Sequence, residues 1–177
     1  MRVISGIYKG KKLEYNIEGT RPTMDRVKES LFGMIQSYIK GSTVLDLFAG
    51  TGSLGIEALS NGAKKVVLVD KNEEAIKVIK KNVSDMSNIE VVKNDYANYL
   101  NNCKIKFDII FLDPPYHENL IENAIKSIIK NNLLNDKGII VCEIEDNFKC
   151  NLNLIKEKKY GDKEIRIYKN SLTNGDI

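Results

Sequence analysis

The chain has 177 residues, 42% hydrophobic and 29% charged, with a net charge of +3, as expected of one globular domain with its own apolar core. It contains no apolar run of the roughly 18 residues that a membrane span needs, and its N-terminus lacks a signal-peptide core, so a soluble cytoplasmic protein is expected. Cys103, Cys142 and Cys150 form no C-x-x-C pair, which speaks against a zinc ribbon or a disulfide framework and for free thiols.

Residues 1–17, MRVISGIYKGKKLEYNI, carry two short β-like runs around Gly6 and Gly10, with Lys9, Lys11 and Lys12 near the turn. They predict a small β-hairpin with a basic tip. Residues 19–23 form a loop in which Pro22 holds Arg21 extended. Thr23 can cap a helix whose apolar face is Val27, Leu31, Met34, Ile35 and Tyr38, with Arg26, Lys28 and Glu29 placed elsewhere, and Gly41 ends it. Residues 1–40 hold eight Lys/Arg against four Asp/Glu, whereas residues 41–177 hold 19 against 20. All the positive surplus thus precedes residue 41, as in a segment that faces a polyanion. A solvated basic arm with no partner would carry the same charge.

The organising stretch is residues 43–70, TVLDLFAGTGSLGIEALSNGAKKVVLVD. An apolar strand runs into Gly50, Gly52 and Gly55 in a G-x-G-x-x-G pattern, a helix follows, and a second strand ends on Asp70. Asp70 lies 20 positions beyond Gly50, the spacing that puts a carboxylate on a ribose hydroxyl. The unit predicts a nucleotide-like cofactor. Asp46, two residues from the end of the first strand and four before Gly50, would repel a pyrophosphate and suits a ligand with a cationic group, such as the ammonium and sulfonium of S-adenosylmethionine. The alternative is an aspartate that caps the glycine loop.

Strand and helix patterns then alternate. Residues 73–86 are helical, 89–92 a strand leading into Asp95, 96–100 a short helix and 107–112 a strand that is uninterruptedly apolar after Asp108. Residues 120–129 are helical again and 138–144 a strand. Segments 155–160 and 164–168 flank a Gly161-Asp162 turn, which predicts an antiparallel hairpin, and 171–177 are a polar tail. The fold class is α/β: a doubly wound, mostly parallel sheet with an antiparallel C-terminal hairpin. Residues 1–40 form an extension, 41–170 a cofactor-binding core and 171–177 the tail. Ligands sit at the carboxyl ends of strands in such sheets, where Asp46, Asp70, Asp95 and Asp113 fall in succession. Asp95 could accept from an adenine amino group, with Tyr96 or Lys71 along the base or ribose.

Asp113-Pro114-Pro115-Tyr116 follows the fourth strand. The Asp113 carboxylate and the Pro114 carbonyl make a wall of acceptors for the two hydrogens of a planar exocyclic amino group. Such bonds turn the nitrogen lone pair toward an electrophilic methyl, and Tyr116 offers a face on which to stack the base. A strand-ending turn with a core tyrosine is the plainer alternative. His117 reads as a solvent-facing loop residue, and Glu143, inside an apolar strand, as a polar group whose role the sequence leaves open.

D-P-P-Y resembles the catalytic motif of amino-group methyltransferases that act on adenine N6 or guanine N2. The chain as a whole is similar to the RsmD family, bacterial 16S rRNA (guanine(966)-N(2))-methyltransferases. The similarity runs through MRVISGIYKGKKL, TRPTMDRVKESLF, VLDLFAGTGSLGIEAL, FDIIFLDPPY and YGDKEIRIY. It implies a Rossmann-like, class I methyltransferase fold, S-adenosylmethionine as cofactor, no metal, and 16S rRNA or a small-subunit assembly particle as partner. It also implies that Asp46, Phe48, Gly50 and Gly52 hold the methionine half of the cofactor, Asp70 the ribose and Asp95 the adenine. Asp113, Pro114, Pro115 and Tyr116 would meet the target base, and Arg2, Lys9, Lys11, Lys12, Arg21 and Arg26 the RNA, with the protein acting as a monomer.

Three rivals share parts of this pattern. An adenine-N6 DNA methyltransferase could use the same acceptor wall, though it needs a target-recognition region for which the chain has little room. A nicotinamide-dependent oxidoreductase could use the glycine loop, but has no use for D-P-P-Y. A catalytically silent RNA-binding module could keep the fold.

Overall fold

A computed structural model of the chain describes residues 1–15, 25–115, 119–144, 148 and 150–170. In order, its elements are α1 (Asp25–Ile39), β1 (Thr43–Asp46), α2 (Ser53–Ser60), β2 (Lys65–Asp70), α3 (Glu73–Asn82), β3 (Ile89–Lys93), α4 (Tyr96–Asn102), β4 (Phe107–Leu112), α5 (Leu120–Lys130), β5 (Leu134–Ile144), β6 (Asn153–Tyr160) and β7 (Lys163–Lys169). The seven strands form one sheet in the order β3-β2-β1-β4-β5-β7-β6. β1 to β5 run parallel, and β7 is antiparallel to both its neighbours. Successive strands step outward from β1 to β3, then outward the other way from β4. The order therefore reverses between β1 and β4, and the crevice at their carboxyl ends is where such a sheet takes its ligand.

Alternation along the strands divides the core into two faces. Val44, Leu68, Phe111, Val141, Ile165 and Ile167 pack under α1, α2 and α3, with Val3 and Leu13 of the N-terminal segment in the same cluster. Leu45, Val67, Ile110, Leu112, Cys142 and Ile144 pack against Leu100, Ile125 and Ile128 on the other face. The middles of the central strands are apolar because both their faces are covered, and the charged residues fall toward the strand ends. Full burial of each such Leu, Ile or Phe is worth about 1.5–3 kcal/mol. The elements match the sequence reading within a few residues, including the antiparallel hairpin around Gly161, which turns at φ 63°.

The N-terminal hairpin is slighter than expected. It holds a single antiparallel bridge, Arg2 to Lys12, with Val3 N–H donating to the Lys11 carbonyl at 2.9 Å and Leu13 N–H to the Met1 carbonyl at 3.0 Å. The turn is held by α2 rather than by more ladder. Ile7 N–H donates to the Ser60 carbonyl at 2.9 Å and Tyr8 N–H to Ser60 Oγ at 3.0 Å. Gly6, at φ 81°, lies so close to Ser60 that a Cβ there would sit 1.9 Å from its carbonyl oxygen. Arg21, Pro22 and Thr23 lie outside the described residues.

Lys28 corrects the helix reading, because it lies on the buried side of α1, fully enclosed. The stripe Lys28, Leu31, Phe32, Ile35 and Ile39 faces the sheet, and Phe32 meets Phe111 with ring centroids 5.8 Å apart. Lys28 Nζ lies 3.2 Å from Glu57 Oε2 of α2, which is also buried. It also donates to the Arg2 carbonyl at 2.6 Å and to Ser53 Oγ at 3.0 Å. Glu57 in turn accepts from Ile4 N–H, Ser5 N–H and Ser5 Oγ. One ion pair thus joins three segments. Lys28→Met should destabilise the fold by about 3–5 kcal/mol, since it strands the Glu57 charge, while Lys28→Met with Glu57→Gln should lose less. Urea unfolding of both variants checks this, and a near-wild-type single variant would refute it.

Candidate functional site

The glycine loop joins β1 to α2 at the reversal point. Leu47 N–H donates to the Phe111 carbonyl at 3.2 Å and Ala49 N–H to the Val69 carbonyl at 2.9 Å, so the chain stays tied to both neighbouring strands before it turns. Gly50 and Gly52 then take φ 57° and 80°, which side chains rarely adopt. Gly55 serves a different purpose: a Cβ there would lie 2.2 Å from Leu68 Cδ2 and 2.9 Å from Val66 Cγ1, so this glycine lets α2 press onto β2. Asn82 of α3 steadies the loop by donating to the Thr51 carbonyl at 3.0 Å.

Two carboxylates hold this loop. Asp70 Oδ2 accepts from Gly50 N–H at 2.8 Å, and its Oδ1 from Asn72 N–H at 2.8 Å. A carboxylate has about four lone-pair sites, so Asp70 keeps capacity for a ligand hydroxyl. Asp46 Oδ2 accepts from Gly55 N–H at 3.1 Å, while its Oδ1 is buried with no hydrogen-bond partner among the described residues. Burial pushes the Asp46 carboxyl up to about 7, against the Gly55 bond, with a smaller upward push from Asp70. Asp46 therefore caps the loop, and it also keeps one oxygen that a cation or a donor would satisfy. The geometry thus shows the loop-capping alternative directly.

Around this centre, Phe48 and Tyr96 meet with ring centroids 5.4 Å apart at the tips of β1 and α4. Asp95 caps α4, its Oδ1 accepting from Ala97 N–H at 2.9 Å and Asn98 N–H at 3.3 Å. This capping leaves Asp95 Oδ2 outside the cap. Lys71 is exposed beside Asp70. Asp113 and Pro114 are half-buried at the tip of β4 and Pro115 is exposed, while Tyr116 and His117 lie outside the described residues.

Asp113 is not isolated. Its carboxyl is raised above the usual range, first by desolvation, then by the charge of Glu143, against the pull of Lys163, with Asp46 adding a smaller upward push. Glu143 pairs with Lys163 of β7. Glu143 was visible in the sequence as a lone acid in an apolar strand. Lys163 carried no such mark, because its position depends on the antiparallel return of β7.

Arg2 and Asp25 pair at 3.2 Å and Lys11 and Asp85 at 2.5 Å, all toward solvent. Lys9, Lys12 and Arg26 are exposed and form no ion pair among the described residues. The basic groups thus lie on the outside of the N-terminal segment and α1.

Comparison with known proteins agrees with this geometry. The family described as Conserved hypothetical protein 95 matches residues 1–169. A Haemophilus influenzae protein named ribosomal RNA small subunit methyltransferase D is 40% identical, over 96% of this chain and 94% of its own. A Bacillus subtilis protein named putative rRNA methyltransferase YlbH is 38% identical, over 96% and 98%. Among solved structures, an Escherichia coli protein described as putative methyltransferase yhhF superposes with a TM-score of 0.88 at 31% identity, covering 96% of this chain and 97% of its own.

The position of Asp46 has a pH consequence. Its folded-state pKa of about 7 exceeds the ordinary 3.8, so its contribution to stability is complete below about pH 4 and is lost as pH rises toward 7. Asp46→Asn should therefore gain stability relative to wild type across that window and hold a constant advantage above it. Urea denaturation at pH 4, 6 and 8 measures the difference, and a pH-independent offset would contradict the assignment.

Proposed function

This chain belongs to the family described as Conserved hypothetical protein 95, and we propose that it is an S-adenosylmethionine-dependent methyltransferase. Its substrate in this reading is the exocyclic N2 amino group of a guanine in small-subunit 16S rRNA, free or within an assembling subunit. Support comes from relatives of nearly full coverage whose names are those of ribosomal RNA small subunit methyltransferases. The observation that carries the reading is local: Asp113 and Pro114 stand at the tip of β4, one strand from a buried Asp46 oxygen that has no partner among the described residues.

The residues fit the cofactor. Asp46 Oδ1 would meet a cationic group, the Gly50 and Gly52 backbone would pass close to the methionine half, and Asp70 would take the ribose hydroxyls. Asp95, Lys71, Phe48 and Tyr96 would frame the adenine. When bound, the cofactor supplies a methyl group on a sulfonium centre. The Asp113 carboxylate and the Pro114 carbonyl accept the two hydrogens of the target amine and so turn its lone pair out of the ring and toward that side. Pro115 stiffens the wall, and Tyr116 stacks the base. Once nitrogen gains a fourth bond it is strongly acidic. The ionised Asp113 carboxylate or water then takes up the proton released.

Residues 1–40 face the RNA in this reading, with Arg2, Lys9, Lys11, Lys12, Arg21 and Arg26 as backbone contacts, and the protein works as a cytoplasmic monomer. Asp113→Ala should retain S-adenosylhomocysteine binding by calorimetry yet lose about 100-fold or more in methyl transfer to 16S rRNA, since its bonds matter most in the transition state. Near-normal tritium transfer would reduce Asp113 to a turn residue. The lysines differ in their local partners, which gives a second expectation. Lys9→Ala with Lys12→Ala should lower the slope of log affinity against log salt by roughly 0.7–0.9 per residue. Adding Lys11→Ala should change it less, because Asp85 already engages that side chain. An unchanged slope in the double variant would remove the hairpin from the RNA interface.

A further inference from the structure

The edge of the sheet carries a row of charged side chains, one per strand, of which the proposed chemistry uses only part. In spatial order across β1, β4, β5 and β7 they are Asp46, Asp113, Glu143 and Lys163. Register puts Asp113 and Glu143 side by side, since Leu112 pairs with Cys142 one residue before each, and the outer two are offset diagonally: Asp46 pairs with Phe111, two residues before Asp113, and Glu143 pairs with Ile165, two residues after Lys163. Each lies two positions from a residue of the same core face, namely Val44, Phe111, Val141 and Ile165. All four therefore belong to that face of the sheet. Glu143 is 8% exposed and its ion-pair partner Lys163 is 27% exposed. A pair so enclosed adds little net stability against a hydrophobic replacement, and it stands directly beside the carboxylate assigned to the target amine.

We propose that Glu143 and Lys163 read the rest of the target guanine: Glu143 accepts its N1–H, and Lys163 donates to its O6. This rests on the guanine-N2 reading above and extends it to the choice of base. Guanine presents, in order along its Watson–Crick edge, an amino donor, an N1–H donor and an O6 acceptor. The row presents an acceptor, an acceptor and a donor in the same order, at Asp113, Glu143 and Lys163. Adenine would present an amino donor followed by a bare N1 lone pair, which would face the Glu143 carboxylate with no hydrogen between them. Adjacent strands lie about 4.8 Å apart, wider than the spacing of groups on a base edge. The side chains lengthen outward from Asp to Glu to Lys, so the outer two can reach back toward the first. A carboxylate offers about four lone-pair sites and an ammonium three hydrogens, so the ion pair can persist while each member holds the base. Asp46 lies beyond Asp113 on the opposite side, which leaves the cofactor and the base edge on separate flanks of the transfer point.

The test uses the intact protein and 16S rRNA carrying either guanine or 2-aminopurine at the methylated position. 2-Aminopurine keeps the 2-amino group but lacks both N1–H and O6. Digestion of wild-type-treated rRNA to nucleosides, followed by mass spectrometry, comes first. If it yields no N2-methylguanosine, the reading of the substrate fails and the present inference falls with it. If it does, wild type should prefer guanine over 2-aminopurine by about 100-fold or more in kcat/KM, because a site built for hydrogen bonds rejects an analogue that lacks them. Glu143→Gln, whose amide can turn an N–H toward a bare N1, should cut that preference at least about 10-fold, chiefly by slowing guanine. S-Adenosylhomocysteine affinity should stay at the wild-type value. Should Glu143→Gln lose that affinity through misfolding, Lys163→Met, at the more exposed end of the row, must show the same fall in preference. An unchanged guanine preference in the variant that retains S-adenosylhomocysteine affinity would overturn the inference while leaving the methyltransferase reading intact.

Discussion

A lysine and a glutamate wholly removed from water hold this molecule's functional half together. Lys28 comes from α1, Glu57 from α2, and the groups that complete their hydrogen bonds come from Arg2, Ile4, Ser5 and Ser53. The N-terminal segment has too little ladder to stand alone. It is placed by donating its backbone N–H groups to a buried carboxylate. Because Ser53 opens α2 directly after Gly52, the same lysine fixes the start of the helix on which the glycine loop depends. The basic hairpin and the crevice at the β1–β4 reversal thus share one anchor.

The crevice is also organised before any ligand enters it. Asp70 fastens Gly50, Asp46 fastens Gly55, and Asn82 holds Thr51, so the loop's left-handed glycines are locked by side chains from three different elements. Two of those groups are the carboxylates assigned to the cofactor. A single residue can do both because a carboxylate has more acceptor sites than one backbone N–H can use. Binding then requires little ordering of the loop, and the interaction energy is not consumed in closing it.

Much of this could be read from residues. The β-α-β unit, the strand tips that carry aspartates and the terminal hairpin all followed from apolar period and turn chemistry, because those are local properties. Lys28 was misplaced because its type suggested solvent, although its spacing from Leu31, Phe32 and Ile35 already put it on the buried stripe. Glu57 raised no expectation at all, since an acid inside a helix is ordinary until its partner is known. The N-terminal hairpin was read as a ladder, whereas its order comes from Ser60 and Glu57, more than 45 residues away in sequence. The pairing of Glu143 with Lys163 depends on β7 inserting between β5 and β6, a topological fact that no local pattern contains.

Asp113, to which the proposed chemistry is assigned, is the middle of the three carboxylates in the row at the sheet edge. Three carboxylates on neighbouring strands cannot all be ionised in a partly dry site without cations to balance them. Glu143 has Lys163 beside it. Asp46 has a backbone N–H on one oxygen and no partner for the other among the described residues, and burial raises its proton affinity. Asp113 feels both neighbours, and its proton affinity rises or falls with theirs. A cation settling against Asp46 would draw that site toward its charged form, while a base edge engaging Glu143 would alter the repulsion from the other side. In the proposed reading, Asp113 is therefore the position at which the two occupants of the crevice would be coupled, electrostatically and across adjacent strands.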